Sequence, residues 1–296
     1  MHASAVLLLL ALSSTLGLAC QAEAGGSSGS SVIHRDLEYV PKGHVLQRLD
    51  LYLPAKGSRL PLIIWIHGGA FRFGDKGDDV PTGYLSEGYA IASLDYRLSG
   101  DALFPAQIED CKAAVRWLRA NAARYRLDPR RFAAWGESAG GHLAAMLGTA
   151  GATKQFDVGS NLRVSSRVQA VVDYFGPTDF LQMDAHRPHD GQVHDAEDSP
   201  ESLLVGGAIQ KHPDKVAMAN PITYITKSAP PFLIAHGDQD PLVPHHQSVL
   251  LVAALRKAGV PVTFRTAKGS SHGNLRDPEV PRLTKAFLAE HLKPGS

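Results

Sequence analysis

The stretch from Phe132 to Leu147 constrains the chain more than any other. An apolar run, Phe132-Ala133-Ala134-Trp135, leads into Gly136-Glu137-Ser138-Ala139-Gly140 and passes directly into the helix formers His142-Leu143-Ala144-Ala145-Met146-Leu147. That order predicts a strand, a sharp turn and a helix, with Ser138 at the turn. Glycines two residues before and two after the serine leave room for a strained backbone that lifts the hydroxyl off a sheet and aims a helix N-terminus at it. Small residues are common at strand-to-helix turns, so the pattern gains meaning only from partners elsewhere in the chain.

The rest of the sequence supplies a matching frame. Val32 to Val40 and Val45 to Leu53 read as an antiparallel edge hairpin joined at Pro41-Lys42-Gly43, with Leu49, Leu51 and Leu53 alternating on one face. Leu62-Ile63-Ile64-Trp65-Ile66 is continuously apolar, as a parallel strand buried on both faces must be. Further strands are expected at Tyr89 to Tyr96, Val168 to Tyr174, Pro231 to His236 and Val260 to Ala267. Between them fall a short helix at Thr82 to Glu87 and a longer one opened by Pro105, with Ile108, Cys111, Val115, Leu118, Ala122 and Tyr125 at helical spacing. Two more helices are expected near Val249 to Ala258, capped by Gly259, and at Pro278 to Leu292. Asp128-Pro129-Arg130-Arg131 reads as the turn into the serine's strand. Such alternation predicts an α/β fold with a mainly parallel central sheet, helices on both faces and reactive residues at the carboxyl ends of strands. The segment Asp179 to Lys215 is too long for an ordinary connection and is read as an insertion over the active-site mouth.

With 296 residues, 44% of them hydrophobic, the chain can fill the core of one large domain. Its formal net charge of +1, with no basic run, gives no reason to expect nucleic acid as a partner. The apolar stretch Ala5 to Leu18 has the length of a signal-peptide core and is too short for stable membrane insertion. Residues 1 to 24 are therefore read as a signal peptide ending at Ala22-Glu23-Ala24, residues 25 to 31 as a flexible Gly/Ser linker, and residues 32 to 296 as the catalytic domain. Secreted or periplasmic protein is the expectation. Gly17-Leu18-Ala19-Cys20 is an imperfect lipobox, so lipid anchoring through Cys20 stays open as the alternative. Cys111 would remain a lone core thiol.

Acyl transfer needs a nucleophile, a base for its proton, a carboxylate to orient the base, and donors for the developing oxyanion. Candidates for all four follow expected strands. Ser138 is the nucleophile; Asp240, in His236-Gly237-Asp238-Gln239-Asp240-Pro241-Leu242-Val243-Pro244, is the acid; His272, in Gly269-Ser270-Ser271-His272-Gly273, is the base. The order Ser, Asp, His along the chain is that of the α/β-hydrolase fold. His67-Gly68-Gly69-Ala70 supplies the glycine loop of an oxyanion hole, with amide donors assigned to Gly69, Ala70 and Ala139. An alanine as the fourth residue leaves this loop less free than a third glycine would.

These residues, with Asp95-Tyr96-Arg97-Leu98, Phe104-Pro105-Ala106-Gln107, Ala113 to Arg119 and Ser199 to Gly207, resemble the α/β-hydrolase esterases related to hormone-sensitive lipase. The chain is especially similar to the bacterial group described as bifunctional feruloyl and acetyl xylan esterases, over residues 45 to 290. The resemblance implies ester hydrolysis with no metal and no organic cofactor, on a small-molecule or polysaccharide-linked ester. It also places the acid second in Asp-x-Asp, leaving Asp238 a turn role. Two other readings stay open: a serine peptidase of the prolyl oligopeptidase type, and a catalytically silent ligand-binding homologue.

Other chemistry-bearing residues read as structural. His67 is expected to hold the oxyanion loop, His142 to pack in the core, Asp95, Arg97 and Asp110 to form an ion-pair network, and Glu137 to point away from the nucleophile and tie down nearby groups. His186, His189 and His194 with Asp184, Asp190 and Asp195 match no standard zinc spacing and read as a solvated loop. Phe71, Phe73, Phe175 and Leu242 are the candidates for the substrate pocket. Nothing in the sequence sets the oligomeric state.

Overall fold

The structure, a computed structural model, describes residues 31–293. Eight strands form one sheet: β1 (Val32–Glu38), β2 (Arg48–Leu53), β3 (Leu60–Ile66), β4 (Ala90–Leu94), β5 (Leu127–Glu137), β6 (Ala170–Tyr174), β7 (Phe232–Gly237) and β8 (Val262–Ala267). Their order across the sheet is β1, β2, β4, β3, β5, β6, β7, β8. β2 alone runs against the others, pairing antiparallel with β1 and β4, and every remaining pair is parallel. The hairpin and the parallel sheet of the sequence reading are both present. The expected signal peptide, the linker except Ser31, and Cys20 lie outside the described residues.

Among the described residues six α-helices accompany the sheet: α1 (Ala106–Ala120), α2 (Ala139–Ala150), α3 (Pro200–Val205), α4 (Pro213–Ala219), α5 (His246–Lys257) and α6 (Glu279–Leu292). The strand pleat divides the core in two. Leu62, Ile64 and Ile66 of β3 join Phe132 and Ala134 of β5 on one face, against α1, α2 and α5. Ile63 and Trp65 join Ala133 and Trp135 on the other, against α6. Ile108, Cys111, Val115 and Leu118 of α1 are wholly buried; each large aliphatic side chain so placed contributes about 1.5–3 kcal/mol of transfer free energy.

Two expectations are adjusted. α1 stops at Ala120, so Ala122 and Tyr125 are buried from the following turn rather than from the helix stripe. Asp128 to Arg131 already belong to β5, whose pairing with β3 shifts register between Leu60 and Leu62. The short helix expected at Thr82–Glu87 is present as a 3-10 helix.

The strand order places the site. From β3 the chain crosses to β4 on one side, then returns to β5 on the other, so the loops after β3 and β5 emerge side by side where the winding reverses. Register brings Ile66 opposite Gly136, which puts His67-Gly68 against Glu137-Ser138. The two glycines around the serine are there for space. A Cβ on Gly140 would sit 2.0 Å from the Ile66 carbonyl oxygen, and one on Gly136 would sit 2.2 Å from the Gly140 oxygen. Larger residues would push the helix off the strand ends.

Candidate active site

Ser138 caps α2 with φ 53° and ψ −120°, the strained turn expected from its sequence setting. Its amide donates to the Tyr174 carbonyl (2.9 Å), and its own carbonyl accepts from His142 N (3.0 Å), so both flanks of the turn are pinned. Ser138 Oγ lies 3.0 Å from His272 Nε2. His272 Nδ1 lies 2.7 Å from Asp240 Oδ2. The structure therefore brings together three residues separated by up to 134 positions, in the geometry a nucleophile, base and orienting acid require.

Asp240 is buried in the loop after β7 and held at both oxygens. Oδ1 accepts from the amides of Leu242 (2.8 Å) and Val243 (2.9 Å); Oδ2 accepts from His272 and from Nε2 of His236 (3.2 Å). Burial alone would raise its pKa, but the hydrogen bonds from His236 and His272 and their positive potential outweigh that and hold the carboxyl well below the usual range. Asp238 sits in the turn after β7, and its carboxylate accepts from Gly269 N of the loop after β8 at 2.7 Å.

The loop after β3 lines the same cavity. Gly69, Ala70 and Phe71 all have positive φ, 99°, 55° and 60°. Such a backbone disfavours residues with a Cβ by roughly 1–2 kcal/mol each, so the alanine and phenylalanine are held there by their surroundings. His67 helps hold them, as expected: Nδ1 donates to the Gly68 carbonyl (2.8 Å) and the ring stacks on Tyr96 at 4.4 Å. Burial lowers the pKa of His67, favouring the neutral ring this role needs. The Tyr96 hydroxyl donates to the His67 carbonyl (3.1 Å), and the amides of Arg72 and Phe73 both donate to the Gly69 carbonyl at 2.9 Å. The N–H groups of Gly69, Ala70 and Ala139 find no acceptor among the described residues.

Ser138 and His272 open into a pocket of about 480 Å³. Phe71, Phe73, Phe175 and Leu242 all line it, together with Gly69, Ala70 and Ala139. Phe71 and Phe175 form its buried wall, whereas Phe73 and Leu242 are exposed at the rim. Asp179 to Lys215 folds into short 3-10 turns, α3 and the start of α4, and contributes Gln192, Pro200 and Glu201 to the pocket.

Several structural readings need correction. Glu137 does not tie down the elbow: its side chain makes no hydrogen bond among the described residues and lines both the main pocket and a neighbouring cavity walled by Tyr84, Trp135 and Tyr174. Burial and the nearby Asp79 raise its pKa to about 7 against the opposing pull of His272. Asp95, Arg97 and Asp110 form two networks, not one. Arg97 grips Asp110 through Nε (2.8 Å) and Nη2 (2.7 Å), while Asp95 accepts from Lys76 N at 2.7 Å and faces its ammonium. The histidine-rich segment is not uniformly solvated. His194 is buried with Nδ1 3.0 Å from Glu201 Oε2, Asp184 accepts from the amides of His194 and Asp195, and His186 stacks on His246 at 3.5 Å. These residues do not converge on one point. His142 is buried as expected, against Phe71 and Phe180, with Nδ1 2.9 Å from the Pro177 carbonyl.

Sequence reasoning missed His236 as part of the site. Its signal was present, since a histidine near the end of a buried strand, four residues before the candidate acid, can reach that acid across the turn.

This strand order, elbow and Ser-Asp-His constellation define an α/β-hydrolase. Residues 49–255 match the BD-FAE family model, and the chain belongs to that family of α/β-hydrolase esterases. It is 31% identical over 253 residues to esterase LipC of Mycobacterium tuberculosis, covering 81% of this chain and 61% of that protein. It is 32% identical to esterase LipQ of the same organism, over 76% of this chain and 53% of that one. The chain thus spans less than two thirds of the length of these curated relatives. Among solved structures, a carbohydrate esterase from gut microbiota superposes with a TM-score of 0.81 at 31% identity, covering 92% of this chain and all of that one. A bifunctional GH43-CE protein of Bacteroides eggerthii gives 0.80 at 34% identity, over 91% of this chain and 36% of its own. Among the described residues no helix is long and apolar enough to cross a membrane.

Proposed function

We propose that this chain is a secreted serine carboxylesterase that removes short or aromatic acyl groups, acetyl or feruloyl, from plant polysaccharide. The observation that carries the reading is the 3.0 Å approach of Ser138 Oγ to His272 Nε2 on the wall of an open pocket, with Asp240 behind the imidazole. The carbohydrate-esterase neighbours support the choice of substrate, and the apolar leader of residues 1 to 24 supports export.

In this mechanism His272 Nε2 takes the Ser138 proton as Oγ attacks the ester carbonyl. The amides of Gly69, Ala70 and Ala139 receive the oxyanion, and Asp240 stabilises the imidazolium. His272 then protonates the leaving alcohol. A water molecule attacks the acyl-serine by the same route in reverse, releasing the acid and restoring the hydroxyl. Each oxyanion donor in such a site contributes about 3–4 kcal/mol to the transition state, so the positive-φ loop matters alongside the triad. The steps need no metal or organic cofactor.

Hydrolysis of acetylated xylan, methyl ferulate and 4-nitrophenyl esters of increasing chain length tests both parts of the proposal. We expect acetyl and feruloyl esters to be preferred over long-chain esters. We expect Ser138→Ala to lower kcat about 10⁴–10⁶-fold. Wild-type rates in that variant would sink the mechanism, and equal rates on every ester would leave only a generalist esterase.

A further inference from the structure

His236 occupies an unusual place for a wholly buried polar ring. It is the penultimate residue of β7 and contacts groups from three directions: Nε2 faces Asp240 Oδ2 (3.2 Å) and the Val243 carbonyl (3.0 Å), while Nδ1 lies 2.7 Å from Ser248 Oγ on α5. Both neighbours of Nε2 are acceptors, so Nε2 carries a proton. In the neutral ring Nδ1 is then an acceptor, and the Ser248 hydroxyl donates to it. The hydroxyl thus selects the tautomer that presents an N–H to Asp240. The result is a continuous chain of hydrogen bonds running Ser248, His236, Asp240, His272, Ser138. Both imidazoles meet the same carboxylate oxygen.

We propose that His236 is a positioning residue for the triad, fixing Asp240 Oδ2 from the side away from substrate and thereby setting the basicity of His272. The proposal rests on the esterase reading above. Its physical basis is competition for one oxygen. A donor to Oδ2 withdraws part of the negative charge that His272 would otherwise feel, so the imidazolium is less stabilised and the neutral base persists to lower pH. The same donor keeps the carboxylate from rotating, because Oδ1 is already held by two amides.

Other titratable groups surround the pair. The His245 ring lies 5.4 Å from that of His236, with Asp238 acting on His245. Glu137 faces His272 across the pocket. The Phe175 ring, 6.3 Å from His236 and 4.7 Å from His272, is the uncharged neighbour.

The test is the pH profile of kcat/KM for 4-nitrophenyl acetate in His236→Phe, His236→Gln and Ser248→Ala, each in wild-type and Glu137→Gln backgrounds. We expect His236→Phe to move the acid limb up by about half to one pH unit and to lower the plateau about tenfold. His236→Gln returns an N–H toward Asp240 and should restore most of the limb. Ser248→Ala should move it in the same direction by less, and it decides the matter if His236→Phe does not fold. A limb at the wild-type pH in every folded variant, whatever the plateau, overturns the proposal. A second readout does not depend on turnover: the downfield proton resonance of His272 Nδ1–H should shift in His236→Phe, and an unchanged resonance also overturns it. Failure of the esterase reading is seen separately, as an inactive wild-type protein whose Ser138 resists a fluorophosphonate probe.

Discussion

Two buried aspartates stand on neighbouring strands and behave in opposite ways. Asp173 lies within β6 and Asp240 just beyond the end of β7; both are at most 2% exposed. Asp173 receives one hydrogen bond, from Gly176 N at 3.0 Å, and burial raises its pKa to about 7. Asp240 receives four, two of them from imidazoles, and stays ionised well into acid. Neither carboxyl is in contact with solvent, but Asp173 lies deeper, so the richer donor set and the smaller burial penalty together keep Asp240 ionised. The difference separates an acid built into the packing from one that can stabilise a positive imidazole.

Substitution breaks that comparison most sharply at Asp240. Asp240→Asn keeps the size of the side chain but removes the charge and favours the wrong His272 tautomer, so kcat should fall about 10⁴-fold. Asp173→Asn should leave kcat within a few fold when the two are assayed side by side. A comparable loss in both would show that burial, not the donor set, matters at these strand ends.

Stability separates them next. The unfolded chain gives up the Asp173 proton near 3.8 while the folded chain keeps it to about 7, so this group lowers folded-state stability as pH rises from about 4 to 7. Asp173→Asn should remove that loss. Urea unfolding at pH 5 and pH 8 should find the variant gaining on wild type between the two values by about 2.5 kcal/mol. Asp240 has the opposite sign. Its contribution is present above the ordinary aspartate range and fades only as pH falls below it, so between pH 5 and 8 it adds no slope.

Glu137 sharpens the contrast as a third case, a half-buried carboxyl with no donor among the described residues, beside His272 and with its pKa raised to about 7. Ionised Glu137 favours the protonated imidazole, so Glu137→Gln should move the acid limb of kcat/KM down by a few tenths of a pH unit. That direction is opposite to the one expected for His236→Phe. The smallest effect falls on the oxyanion loop. Ala70→Gly keeps the amide and relieves a positive φ of 55°, and the relief is offset by added chain entropy; thermal unfolding should shift by no more than about 1 kcal/mol equivalent, with kcat little changed.

Much of this was legible in the sequence because it rests on local rules. Leu62 to Ile66 had to be a two-sided strand, and Gly136-Glu137-Ser138-Ala139-Gly140 between a strand and a helix had to be a tight turn. Chain order then placed Asp240 and His272 at strand ends. What could not be read depends on register and on which groups meet across the sheet. Lys76, rather than Arg97, reaches Asp95 because β4 pairs with β2 and β3, which no spacing reveals. His194 lies in a polar stretch yet is buried, where it meets Glu201 of α3 seven residues on. The side-chain direction of Glu137 follows from the strained turn at Ser138, which composition does not encode.

Ser138 is proposed as a nucleophile activated through His272 and Asp240. Labelling of the intact folded protein with a fluorophosphonate, mapped by mass spectrometry, tests it most directly. One adduct is expected, on Ser138, lost in Ser138→Ala and slowed at least about a thousandfold in His272→Ala. An adduct on another residue, or undiminished labelling after His272 is removed, would contradict it.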